Sequence, residues 1–263
     1  MAKTTGTALT VWQEKLAAMG RTATAAVATA AGGVPRISFR AGIMTFKEAP
    51  IKGNAIECVI LGFAFENQWY SDPEFDPNAM ARPDCFALNM SDAKPMAPVQ
   101  ADCTLPQHTD CETCPKFQWD SDRKGGRGKD CKQKVRLVLM ARNDLDAEDL
   151  GDIAKADLVL ATVPTTSVKN FSKYVNSLAT EFNSHPLGVL TKISCRPDQD
   201  VMVVVEFEAV AALDDEALLE VLFNRLDEVT TAAMKPYDKN DPNAEPKERP
   251  PARRPLKAQR GRR

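Results

Sequence analysis

Residues 111–131 read CETCPKFQWDSDRKGGRGKDC. Cys111 and Cys114 are separated by two residues, the spacing of a tight knuckle that aims two thiolates at one tetrahedral metal, at about 2.3 Å. Cys131 is a natural third ligand, because Gly125, Gly126 and Gly128 let the chain fold back before it. A closed structural site needs one more donor. Cys85, Cys103 and His108 all stand upstream, and spacing alone does not choose among them. A redox Cys-x2-Cys normally opens a helix after a strand, and Pro115 and the glycine run argue against that. No HExxH occurs, and no HxE with a downstream PCxxC, so a catalytic zinc has no recognisable frame.

Working outward, the flanks read as strands. RISFRAGIMTF (36–46) and AIECVILGFAF (55–65) are rich in β-branched and aromatic residues, with a turn at Pro50, Lys52 and Gly53. Together they read as a hairpin that opens a β-domain. Residues 66–132 are rich in Pro, Asp, Asn and Gly and hold five of the seven cysteines. A loop this long is usually functional, and metal is one way to order it without a core of its own. QKVRLVLMA (133–141) alternates like a half-buried strand, and ADLVLATV (156–163) is a further apolar strand.

A helix follows, with Val168, Phe171, Val175, Leu178 and Phe182 on one face. LGVLTKISC (187–195) and VMVVVEFEAV (201–210) read as a second hairpin, and a helix from about Asp214 to Ala233 closes the domain. Cys58 and Cys195 fall inside strand patterns and read as small buried core residues. His185, before Pro186 at a helix end, reads as a satisfied surface residue.

The division is therefore an N-terminal helix and lead-in (1–34, with the helix around Leu9 to Met19), a domain over 35–234, and a disordered basic Pro-rich tail over 235–263. The fold class is α+β, mainly β: an OB-like Greek-key barrel with a long zinc-binding insertion and flanking helices.

Composition limits function. The 263 residues carry a net charge of −2, and seven cysteines without a signal-peptide pattern suit a reducing compartment rather than a disulfide framework. The Ala/Thr-rich stretch TATAAVATAAGG (22–33) lacks the compact Leu-rich core of a signal peptide. No apolar run approaches the roughly 20 residues of a membrane span. From Lys235 onward ten Lys/Arg face four Asp/Glu, so the first 234 residues carry −8. That excludes a globally basic nucleic-acid binder and leaves only a local patch or the tail. Such a patch exists: from Cys111 to Arg136, eight basic side chains face four acidic ones. Aromatic residues accompany it, Phe117 and Trp119 within the patch and Trp69, Tyr70 and Phe75 in a second polar loop. Aromatic faces beside a basic groove are how single strands are bound without sequence preference.

Three pieces recur together: PDCF (83–86), CETCPKFQWDS (111–121) and GRGKDCKQKVRLVLM (126–140). In combination they resemble the zinc-containing single-stranded DNA-binding proteins of tailed bacteriophages. Those carry a Pro-x-Cys aromatic turn, a Cys-x2-Cys-Pro with an aromatic residue shortly after, and a Gly-Lys-x-Cys that leads into a basic strand. The resemblance implies an OB-like barrel with a metal-bound insertion, and by position it makes Cys85 the fourth ligand beside Cys111, Cys114 and Cys131. Two features depart from the pattern. Asp120 stands where a Gly is expected, and the tail is basic where many single-strand binders end in an acidic, partner-recruiting tail.

The expected function is non-enzymatic, sequence-independent binding of single-stranded DNA in phage replication or recombination, with a structural Zn²⁺. Lys116, Lys124, Arg127, Lys129, Lys132 and Arg136 would meet phosphates, and Trp69, Tyr70, Phe117 and Trp119 would stack on bases. The expected partners are single-stranded DNA and replication or recombination proteins, with no membrane and a homo-oligomer left open. The setting would be the cytoplasm of an infected host cell. One rival is a zinc-stabilised module that docks replication proteins and touches DNA weakly, which the acidic body favours. The other is a metal-dependent nuclease using Asp72, Asp76 and Asp84, whose Pro-rich spacing reads better as turn formation.

Overall fold

The computed structural model describes residues 34–71, 82–90, 94–147 and 149–237. The expected helix around Leu9 to Met19, Asp72, Phe75, Asp76 and the tail beyond Tyr237 lie outside the described residues.

Segment 36–46 is not one strand. Strands β1 (Arg36–Arg40) and β2 (Ile43–Phe46) pair antiparallel around Ala41 (φ 50°) and Gly42 (φ 75°). Positive φ at both central residues makes a type I′ turn, whose twist suits flanking strands. A short β3 (Ala49–Pro50) pairs back on β2. The expected pairing of this segment with 55–65 does not form.

Strand β4 (Ala55–Trp69) instead becomes the spine of the molecule. Its fifteen residues span about 50 Å at about 3.3 Å each. One edge runs along β6 (Lys132–Ala141). The other edge is shared. Residues 55–59 pair with β8 (Val189–Asp198), and residues 65–69 pair with β5 (Cys85–Asn89). Regular structure, expected to fade at Glu66, thus persists to Trp69 and returns at Cys85.

β4 is apolar on both faces because it separates two cores. Cys58 and Ile60 join Leu137, Phe171 and Val205 under a helix over Val168–Glu181. Val59 and Leu61 join Val138, Leu160, Leu222 and Val229 under two helices near the C-terminus. The same division explains why β6, expected to be half-buried, is buried on both faces from Val135 to Met140. A bulge between Ile60 and Gly62 inserts one residue into β4. Gly62 therefore faces the second core, where a Cβ would lie 2.6 Å from Val229 Cγ1. Since side chains alternate with period two, this insertion turns Phe63, Phe65 and Asn67 to the first face.

Two short helices, α1 (Arg142–Leu145) and α2 (Leu150–Lys155), follow β6, then β7 (Val159–Val163) and α3 (Val168–Glu181). α3 buries Phe171 and Leu178 as its spacing predicts, while Phe182, just past its end, is exposed. β8 and β9 (Met202–Ala212) form the expected hairpin. The single closing helix divides into α4 (Glu216–Phe223), capped by Asp215, and α5 (Leu226–Met234). The break falls at Arg225, whose guanidinium is buried and donates to Glu228 (2.8 Å) and to the Ile153 carbonyl (3.3 Å).

The sheet runs β3-β2-β1-β7-β6-β4-β8-β9, with β5 beside β4 and only β1·β7 parallel among the described pairs. It curls. Gly42 approaches β8 so closely that a Cβ there would lie 2.3 Å from the Pro197 nitrogen, and Cys195 Sγ donates to the Gly42 carbonyl at 3.5 Å. No ladder among the described residues joins β3 to β9, so the expected barrel is realised as a curled, open sheet in an α+β, mainly β domain. No helix among the described residues is long and apolar enough to cross a membrane.

Candidate metal centre and nucleic-acid interface

β5 and the start of β6 bring the cysteines to the far end of β4. Cys85 opens β5, opposite Trp69, and Cys131 immediately precedes β6. Cys111 and Cys114 come from the loop between, anchored by Cys111 N–H to the Met96 carbonyl (2.9 Å) and by Cys131 N–H to the Lys116 carbonyl (2.8 Å). Cys85, Cys111, Cys114 and Cys131 are all buried and line one cavity of about 10 Å³. All are free thiols. Burial pushes Cys85 up to about 12 and Cys111 up to about 11, and Cys131 rises further, with neighbouring thiols adding to the effect.

The thiols share this cavity without closing on a common centre: no three or more His, Cys, Asp or Glu side chains among the described residues form a metal-holding group. The donor set itself suits zinc, since four thiols around one small cavity are a structural zinc complement. Asn67 adds to the fit. It lines the same cavity, stands close enough to Cys111 to oppose the rise of its pKa, and is fully buried, yet neither amide atom reaches hydrogen-bond geometry with a partner among the described residues. An unused N–H beside a thiol is what a metal-bound thiolate accepts from.

The two alternative fourth ligands stand differently. Cys103 Sγ accepts from Phe86 N–H (3.3 Å) and donates to the Phe86 carbonyl (3.4 Å), and its thiol also hydrogen-bonds to Cys85 and packs beside Cys131, so it adjoins the four-thiol cluster. His108 is exposed and turns its Nδ1 to the backbone of Asp110. His185 caps the turn before β8, its Nδ1 accepting from Leu187 N–H (3.2 Å).

Above the thiols, the loop 118–130 folds as a small ribbon, with Asp120 N–H on the Arg127 carbonyl (3.3 Å) and Asp122 N–H on the Gly128 carbonyl (3.1 Å). Asp120 adopts φ 62°, so the position where a Gly is expected keeps a Gly-like backbone that Asp tolerates. Trp119 is 73 % exposed on this ribbon. Lys129 Nζ lies 3.6 Å from the centre of the Phe117 ring and 5.4 Å from that of Trp119, so a cation sits against both. Burial lowers the Lys129 pKa. Lys124 and Arg127 are exposed beside it, and neither they nor Lys129 makes an ion pair among the described residues.

Other expected contacts are placed differently. Trp69 is buried, donates Nε1–H to Asp130 (2.8 Å), and is covered by Arg123 and Lys116. It packs the knuckle onto β4. Asp130 also pairs with Arg123 (2.7 Å) and Lys116 (3.6 Å), and Asp122 pairs with Lys132 (3.2 Å). Burial alone would raise the Asp130 carboxyl, but Arg123 and Trp69 hold it below the usual range. Tyr70 donates to Gln68 (3.3 Å) and is half-buried.

Arg136 is 3 % exposed and forks onto Glu66 (Nε to Oε2 3.0 Å, Nη2 to Oε1 2.6 Å), while Nη1 donates to the Lys235 carbonyl (2.6 Å). That leaves no face for a phosphate. Tyr237 completes this network, its hydroxyl donating to Glu66 (2.5 Å) and its ring meeting Phe86 edge-on. Of the tail expected to be disordered from Lys235, residues 235–237 are docked through Tyr237, and the remainder lies outside the described residues. Asp84, considered as a cation ligand, accepts from Ser71 N–H (2.7 Å) and Thr104 Oγ1 (2.9 Å) and forms a turn.

Sequence reasoning missed Asn67, Glu66 and Tyr237, whose partners are distant in the chain. It also missed an open groove of about 620 Å³ between β4, α3 and the knuckle, walled by Phe63, Phe65 and Phe117. The period-two placement of the two β4 phenylalanines was the available signal, but the bulge conceals which face they take. No family model, curated protein or solved structure matches the chain.

Proposed function

We propose that this chain is a non-enzymatic, single-stranded DNA-binding protein of OB type, acting in phage replication or recombination. Cys85, Cys111, Cys114 and Cys131 would hold a structural Zn²⁺, which would fix the knuckle on β5 and β6 and supply no reaction chemistry. The observation that carries the reading is Trp119. A tryptophan 73 % exposed, with Lys129 between it and Phe117, costs solvation without packing the fold and offers a stacking face beside a cation. Lys124 and Arg127, exposed and without an ion pair among the described residues, would supply charge for phosphates. The phage role rests on the motif resemblance, and the OB-type reading on the sheet's curl, since OB barrels are partly open.

Trp119→Ala tests the site. We expect single-strand affinity to fall about five- to 150-fold, the worth of one stacked base, with zinc content and melting temperature unchanged. Unchanged affinity would remove the ring from the interface, and lost zinc would make it a packing residue. One observation favours the rival docking module: Asp130 and Asp122 occupy Lys116, Arg123 and Lys132, which thins the basic patch. That reading expects weak DNA binding abolished at moderate salt.

A further inference from the structure

The groove beside the knuckle holds a feature that stacking and phosphate contacts do not use. Asn67 is 1 % exposed and lines this groove, and neither its Oδ1 nor its Nδ2 has a hydrogen-bond partner among the described residues. Buried carboxamides are normally bonded, so an unpaired one points to a missing ligand. A thiolate at Cys111 would take only the N–H side, and the acceptor oxygen would still be unmet. Gln133 stands directly opposite Asn67 in the β4–β6 ladder and lines the same groove, as does Asn176 of α3. Phe63, Phe65 and Phe117 wall it with aromatic surface.

The volume, about 620 Å³, lies within the roughly 300–1,000 Å³ of sites that enclose a small planar group. A carboxamide offers a donor and an acceptor side by side, which matches the edge of a nucleobase, adenine best through its amine and ring nitrogen. Lys94 also lines the groove and brings a cation to it. Phe117 belongs both to this groove and to the Lys129–Trp119 platform, so a strand stacked on Trp119 has a continuous route into it.

We infer that the groove seats one unstacked nucleobase between aromatic walls, with Asn67 reading its hydrogen-bonding edge. The chain then has a base preference superimposed on sequence-tolerant binding. This rests on the single-strand reading above, and it adds a selective subsite to it.

The test compares full-length protein with oligo(dA), oligo(dC) and oligo(dT) of equal length, with zinc measured on each sample. Two variants accompany it. Asn67→Leu removes the polar pair at near-constant shape, and Asn176→Trp, at an exposed helix position, fills the groove from its α3 wall, with the zinc content of each sample showing whether Cys111, which also lines the groove, is disturbed. We expect the wild type to favour one base, adenine foremost, by about three- to tenfold, the worth of one or two hydrogen bonds. Both variants should bind all three strands alike while retaining zinc. If Asn67→Leu lost zinc, Asn176→Trp alone would decide the point. Equal wild-type affinity for the three strands, or a preference that survives in Asn176→Trp, would overturn the base seat and leave single-strand binding intact. Binding to none of the strands would overturn both.

Discussion

Glu66 and Arg136 are buried together and fork onto each other, with Tyr237 completing the network. Burial alone would raise the Glu66 carboxyl, yet hydrogen bonds from Arg136, Tyr237 and Gln68 hold it below the ordinary value. A depressed carboxylate contributes stability above its unfolded pKa of about 4.3 and loses it as pH falls through the lower folded value. We therefore expect melting temperature to be insensitive to this pair from neutral pH to about pH 5 and to drop below about pH 4. Arg136→Met, which strands a buried carboxylate, should cost about 3–5 kcal/mol at neutral pH, and adding Glu66→Leu should recover most of it. Denaturant titration of the three proteins checks this. Full stability in Arg136→Met would mean that the pair is not closed in solution. The pair also shows what the sequence conceals. Arg136 looks like a phosphate contact because it extends a basic run, whereas its partner lies 70 residues away. Trp69 misleads in the same manner, since its polar loop is the end of a strand and Asp130 is 61 residues distant. The thiols were more legible, because Cys-x2-Cys carries its chemistry in its spacing.

At the scale of elements, local signals survive and pairings do not. α3 and the β8–β9 hairpin follow from helical period and an Asp-rich turn within a few residues. The course of β4 depends on partners from three other strands and on one inserted residue, and neither leaves a local mark. The hairpin β1–β2 was hidden because Ala41–Gly42 is a weak version of a type I′ turn. Gly42 now has a defined job. An alanine there would meet both a positive φ and the Pro197 backbone at 2.3 Å. Gly53 has φ 74° with nothing within 4 Å of a Cβ. Gly53→Ala should cost only the left-handed strain of about 1–2 kcal/mol, and Gly42→Ala about 2–5 kcal/mol, because the clash adds to the strain. Urea midpoints at constant slope measure both, and equal losses would mean that the curl does not bring β1–β2 against β8.

For the whole molecule, the proposed function requires an acidic body to hold a polyanion through a local patch. Among the described residues, the ion pairs of Asp122 and Asp130 leave Lys124, Arg127 and Lys129 as the knuckle cations without an ion pair. Three phosphate contacts on a single strand give a slope of about −2 in log affinity against log salt, shallow enough for stacking to sustain binding at moderate salt. The proposed zinc belongs to the same scale: if a metal ties the four buried thiols together, chelation should free the knuckle from β5 and β6 while both main cores stay folded. The most direct measurement is the affinity of the purified chain for a labelled single strand and for its duplex, across a salt series, with metal content on the same sample. We expect one zinc per chain, clear preference for the single strand and a slope near −2. Equal affinity for strand and duplex that vanishes at moderate salt would contradict single-strand binding and return the knuckle to the docking role.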